Sequence, residues 1–74
     1  MERYLLPIVM EKDEDGYFVS CPSLQGCYSQ GETYEMALEN IRDAIRLHIH
    51  DRRERGEEIS VAEMVSVMAL EVAD

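Results

Sequence analysis

The chain has 74 residues, 46% of them apolar and 31% charged, and its sixteen acidic residues against seven basic give a net charge of −9. That length is one small domain, expected to span residues 1–74, burying only about 60–65% of the surface its unfolded form exposes. So acidic a surface repels phosphate backbones and attracts basic proteins, which argues against direct nucleic-acid binding by this chain.

From Arg3 to Lys12 the chain carries an apolar run, Tyr-Leu-Leu-Pro-Ile-Val-Met, too short and too β-branched for a helix. The run predicts a strand buried on both faces or nearly so. Pro7 cannot donate to a ladder, so it belongs where that strand lacks a partner or at a bulge. Asp15-Gly16 follows within an acidic stretch, a strong hairpin signal because glycine tolerates positive φ. Tyr17 to Cys21 is the returning antiparallel strand, and Pro22 ends it. Ser23 to Gln25 reads as a loop. Gly26 opens a short third strand, roughly Gly26 to Gln30, that Gly31 closes.

A helix comes next. Thr33 has the chemistry of an N-cap, and Glu32, Glu35 and Glu39 place negative charge near the positive end of the helix dipole. Tyr34, Ala37, Leu38, Ile41, Ala44, Ile45, His48 and Ile49 recur at three- and four-residue steps, an amphipathic stripe. Arg46, Arg52, Arg53 and Arg55 load the far end with positive charge, and Gly56 supplies the stop. Met64 to Val72 then reads as a last strand, apolar on both faces. The class expected is α+β in the order β-β-β-α-β. A right-handed crossover returns the last strand parallel to the first, so the sheet order is 3-2-1-4 with one covering helix. One helix hides less apolar surface than Met64, Met68, Leu70 and Val72 present. A homodimer or higher oligomer, joined through the last strand or the bare sheet face, is the expected remedy.

Residues that could carry chemistry fail on geometry. Glu11, Asp13, Asp15 and Gly16 suit the first half of an EF-hand loop, but the twelfth position, which needs a bidentate Glu, is Pro22. His48 and His50 are two apart on a helix and diverge by about 200°, so they cannot share an ion. His48 is expected to pack and hydrogen-bond, and His50 to face solvent. A two-metal nuclease needs converging carboxylates, and Glu11, Glu39 and Glu71 have no argued convergence. No enzyme, cofactor or metal is therefore expected. Cys21 and Cys27 fit no zinc spacing and are read as reduced, structural thiols. No apolar run approaches the ~20 residues of a membrane span, and the first residues lack the character of a signal peptide. A cytoplasmic location without membrane contact is expected.

A resemblance adds a function. Asp15-Gly16-Tyr17, Cys21-Pro22-Ser23-Leu24-Gln25-Gly26-Cys27, Gln30-Gly31-Glu32-Thr33, then Glu35, Ala37, Leu38, Asn40 and Ala44 resemble the HicB-like antitoxins of toxin–antitoxin systems, over roughly residues 3–56. The resemblance implies a partial ribonuclease H-like fold without its activity. It also implies a partner, a small basic mRNA-cleaving toxin of the HicA kind whose catalytic face the chain masks. Many members carry a further C-terminal DNA-binding domain, and none is expected here. If a basic toxin is the partner, the acidic residues that would meet it are Asp13, Glu14, Asp15, Glu32, Glu35 and Glu39, on a frame set by Gly16, Pro22, Gly26, Gly31 and Thr33. The alternative is an orphan HicB-like module that only oligomerises.

Overall fold

In a computed structural model, residues 3–59, 66 and 68–74 are described. Three strands, β1 (Val9–Asp13), β2 (Gly16–Ser20) and β3 (Tyr28–Gly31), precede one helix, α1 (Tyr34–Glu54). They form an antiparallel sheet in the order β1-β2-β3, so the class is α+β.

The first strand begins later than its apolar run. Residues 3–8 join no ladder, and β1 starts two residues after Pro7, whose nitrogen carries no hydrogen to donate. Nor is β1 buried on both faces, since Val9 and Met10 are half-buried and Glu11 to Asp13 exposed. The reason is the lie of the helix, which packs over β3 and β2 and makes no close approach to β1.

Asp13 pairs with Gly16 across a two-residue turn, Glu14-Asp15, in which the Asp13 carboxylate accepts the Asp15 N–H at 2.8 Å. Gly16 has φ +131°, and a Cβ there would stand 2.9 Å from the Gly31 carbonyl oxygen. Gly16→Val is expected to cost about 1–2 kcal/mol for the backbone conformation alone. A fall in the thermal midpoint of roughly 4–8 °C per kcal/mol would register it. An unchanged midpoint would show that the turn accepts a side chain.

Register decides which side chains the helix covers. Met10 opposite Val19, and Lys12 opposite Tyr17, face α1, whereas Val9, Glu11, Phe18 and Ser20 face away. Val19 is fully buried and its neighbour Phe18 is 41% exposed. The core is Val19, Cys21, Leu24, Cys27, Ala37 and Ile41, with Met10, Tyr17, Ala44, Ile45 and Ile49 packed around it.

Between β2 and β3 the chain makes a closed loop. Cys21 N–H donates to the Cys27 carbonyl at 2.9 Å, Leu24 N–H to Cys21 at 3.0 Å, and Cys27 N–H to Leu24 at 3.0 Å. Those bonds turn Leu24 inward until it is 2% exposed. Gly26 lies in this loop with φ +80°, so it does not open β3, which starts at Tyr28. Arg52 ties the loop to the helix, donating to the Gln25 carbonyl at 3.2 Å and to His48 Nδ1 at 2.9 Å. An arginine can only donate, so His48 Nδ1 is the acceptor of this bond. His50 is exposed, 3.6 Å from Glu54.

At the start of α1, Thr33 Oγ1 accepts the Met36 N–H at 3.1 Å. At its end, Gly56 with φ +73° turns the chain, and Gly56 N–H and Glu57 N–H donate to Arg53 and Arg52. That bonding pattern is a Schellman motif.

The expected fourth strand is not present among the described residues. Met64, Val65 and Val67 lie outside them, and Ser66 and Met68 to Val72 belong to no strand. The order 3-2-1-4 is thus met for three strands only. Met68, Leu70 and Val72 are 70%, 78% and 80% exposed.

Candidate functional site

Three elements meet at one end of the sheet. The hairpin turn carries Asp13, Glu14 and Asp15, the end of β3 carries Gln30 and Gly31, and the first turn of α1 carries Glu35 and Met36. The register of β2 on β3, with Tyr17 opposite Gly31 and Phe18 opposite Gln30, brings the turn level with the helix start.

Gly31 makes the closeness attainable. A Cβ on it would stand 2.6 Å from Ala37 N and 2.9 Å from the Met36 carbonyl carbon, so the backbone of α1 rests directly on that of β3. Asn40 adds a clamp one turn later, its Nδ2 donating to the Gln30 carbonyl at 2.7 Å. Gly16 is drawn into the same contact, since the space its Cβ would take borders the Glu32 Cα at 3.6 Å.

The result is an open cleft of about 570 Å³ lined by Asp13, Asp15, Gly16, Tyr17, Phe18, Gln30, Gly31, Glu32 and Met36. Of the six acidic candidates, Asp13, Asp15 and Glu32 share this cleft. Glu14, Glu35 and Glu39 are exposed but line none of it. Two remote stretches of sequence therefore bring three carboxylates to one cleft, with Phe18 and Met36 as its exposed apolar lining.

The apolar part of this lining was not foreseen. Phe18 and Met36 are 41% and 47% exposed, and Tyr28, which lies outside the cleft, is 63% exposed. The Phe18 and Tyr28 rings lie 5.9 Å apart, tilted by 33°, on the face away from the helix. Strand alternation held the signal, because once Val19 faces the core its neighbour Phe18 must face out. On the other face Tyr17 meets Tyr34 edge-on at 6.1 Å, and Lys12 Nζ lies 5.8 Å from the centre of the Tyr17 ring.

Among the described residues no group of three or more His, Cys, Asp or Glu side chains is placed to hold a metal ion. Glu11, Glu39 and Glu71 lie on β1, on α1 and in the C-terminal segment. Cys21 and Cys27 are free and buried. Burial pushes both thiols up from the usual range. For Cys21 the backbone N–H groups of Ser23 and Leu24 and the charge of Arg52 pull the other way. For Cys27 the neighbouring Cys21 adds to burial, and Arg52 opposes it. Protonated thiols without access are poor nucleophiles. No helix among the described residues is long and apolar enough to cross a membrane.

Comparison with known proteins extends the picture. Residues 6–72 match the profile of a family described as the HicB_like antitoxin of bacterial toxin-antitoxin system. A UPF0150 protein of Helicobacter pylori is 55% identical over 47 residues, 64% of this chain and 65% of that protein. A UPF0150 protein of Thermoplasma acidophilum is 45% identical over 53 residues, 70% of this chain and 77% of that protein. A 14.9 kDa protein from the rep-hol intergenic region of Haemophilus phage HP1 is 46% identical over 55 residues, 74% of this chain but 41% of that protein. The chain thus spans just under two thirds of the Helicobacter relative and well under half of the phage one.

Proposed function

This chain belongs to the HicB-like antitoxin family of bacterial toxin–antitoxin systems, and from that premise we propose that it binds and neutralises a small basic toxin of the HicA kind, an mRNA-cleaving protein whose active face it covers. The observation that carries the reading is the cleft that Asp13, Asp15 and Glu32 line together with Phe18 and Met36, on a chain of net charge −9. Carboxylates beside exposed aromatic rings suit the arginines and lysines of an RNA-cleaving protein, which must themselves attract phosphate. The antitoxin competes for those cations with charge of the same sign as RNA. No catalytic step by this chain is required, and a masking role needs neither cofactor nor metal. The complex belongs in the cytoplasm, where mRNA is, and the chain itself makes no contact with nucleic acid.

In this reading Asp13, Asp15 and Glu32 form the contact, and Glu14, Glu35 and Glu39 supply field around it. Residues Met64 to Val72 complete the sheet as a fourth strand beside β1, giving the partial ribonuclease H-like order 3-2-1-4. The test is coexpression with a small basic protein encoded beside this chain's gene. A stoichiometric complex that stops the partner's mRNA cleavage is the expected result. An RNase that remains fully active beside excess antitoxin would sink the proposal.

A second reading has its own support. The exposed Met68, Leu70 and Val72 favour an oligomeric interaction module without a toxin. Self-association with no partner bound and no nuclease restrained would select it.

A further inference from the structure

The helix leans toward β3, which leaves a furrow on the β1 side. One stretch of it, about 440 Å³, is walled by Leu6 and Ile8 from the N-terminal segment and by Ile41 and Ile45 from α1, with Arg42 and Arg46 on its rim. A second hollow of about 660 Å³ adjoins it, sharing Tyr4, Arg46 and Ile49 and adding Arg53. The furrow's wall of Leu6 and Ile8 leads directly into β1, which is an edge strand. An open edge next to an apolar trough is a template for one more strand.

The C-terminal segment has the matching features. Met68, Leu70 and Val72 alternate with Ala69, Glu71 and Ala73, so they lie on one side of an extended chain. Asp74 shares that side and would arrive among the arginines with them. Charge adds to the match, because on an acidic chain the furrow's lining carries Arg42, Arg46 and Arg53 against one carboxylate, Glu54, although Arg46 also lies 3.4 Å from Asp43.

The segment's own body leaves it outside. Ile59 packs against the core, whereas Met68 to Asp74 are all exposed. The radius of gyration is 14.0 Å, against about 11 Å for a compact domain of this length. An arm that projects from one copy finds its seat most simply on another.

We propose that the furrow receives Met68 to Val72 of a second copy of this chain, laid beside β1 with Met68, Leu70 and Val72 inward, and that two copies exchange these arms reciprocally. The exchange is isologous and closed, and it covers the β1 edge of both copies at once. It rests on reading the C-terminal segment as the last strand, and it names the copy that supplies it.

The test uses the full chain without any toxin, so its outcome is separate from the fate of the antitoxin reading. Sedimentation equilibrium is expected to show a homodimer at micromolar concentration. Leu70→Asp damages the arm and Arg42→Glu with Arg46→Glu damages the furrow. Each is expected to weaken dimerisation about tenfold or more, with the helical circular dichroism retained. The informative step is to mix the two variants. Where each substitution alone abolishes its contact, reciprocal exchange leaves the mixed dimer one intact arm in one intact furrow and each variant's own dimer none, so the mixed dimer forms more tightly than either. A wild-type monomer, a dimer indifferent to Leu70→Asp, or a mixture no tighter than its parts would each overturn the proposal. The last outcome is the one expected if each arm folds back onto its own furrow.

Discussion

Gly31→Val is expected to lower the stability of this domain by about 3 kcal/mol or more, the upper range for over-packing. The position is not one of unusual φ. The cost is steric: a Cβ on Gly31 would stand 2.6 Å from Ala37 N, 2.9 Å from the Met36 carbonyl carbon and 3.0 Å from Ala37 Cα. All three are backbone atoms of the first helical turn, so no side chain can swing away to make room. Either α1 lifts from β3 or β3 bends. Lifting α1 exposes Ala37 and Ile41, which are 0% and 2% accessible, and strains the bond from Asn40 to the Gln30 carbonyl. For a domain of this size the midpoint is expected to fall by roughly 12–24 °C. Gly31→Ala separates the steric cause from any other, because it adds the single offending atom and should recover only a small part of the loss. A variant that melts with the wild type would mean the helix start is not held against β3 in solution.

The second large effect concerns association with the basic partner. Replacing Asp13, Asp15 and Glu32 by their amides is expected to slow association about tenfold at low salt. Replacing Glu14, Glu35 and Glu39 removes the same three charges, leaving a net charge of −6 from the original −9 in both variants. Net charge alone would slow the two equally. The cleft variant should be slower, because its charges sit together where the partner's cations dock, while the others are dispersed over the turn and helix face. Near 1 M salt, where screening acts over about 3 Å, the on-rates should converge. Stopped-flow binding across salt concentration measures all three proteins. Equal rates for the two variants would mean that long-range attraction operates without a defined acidic contact. A flat salt response in the wild type would leave an apolar contact through Phe18, Tyr28 and Met36.

The two experiments probe one structural fact from opposite sides. Gly31 allows the helix start to touch the sheet, and that touch brings Glu32 to Asp13 and Asp15. A Gly31→Ala protein that stays folded in the cold should therefore bind its partner more weakly although no charge has changed.

What could be read from the sequence was local. Thr33 as the helix cap and Gly56 as its stop follow from backbone groups that must be satisfied within a few residues. So does the hairpin between Asp13 and Gly16, and with it the antiparallel order of the first three strands. The acidity of the surface, and the resemblance carried by Cys21 to Cys27 and Gln30 to Thr33, pointed to a protein partner before any geometry was known. Tertiary structure decided the rest. Pro7 lies in an apolar run that reads as strand, yet ladder bonding begins only at Val9, because pairing depends on a neighbour and not on hydrophobicity. Leu24 looked like an ordinary loop residue and is buried, since the bonds between Cys21, Leu24 and Cys27 turn it under. The meeting of Asp13 and Asp15 with Glu32 required the register of β2 on β3 and the bare Cα of Gly31. Local signals suffice where the partners of a backbone group are a turn away. They fail where the partner is seventeen residues distant, as Glu32 is from Asp15, because only the packed chain sets that distance.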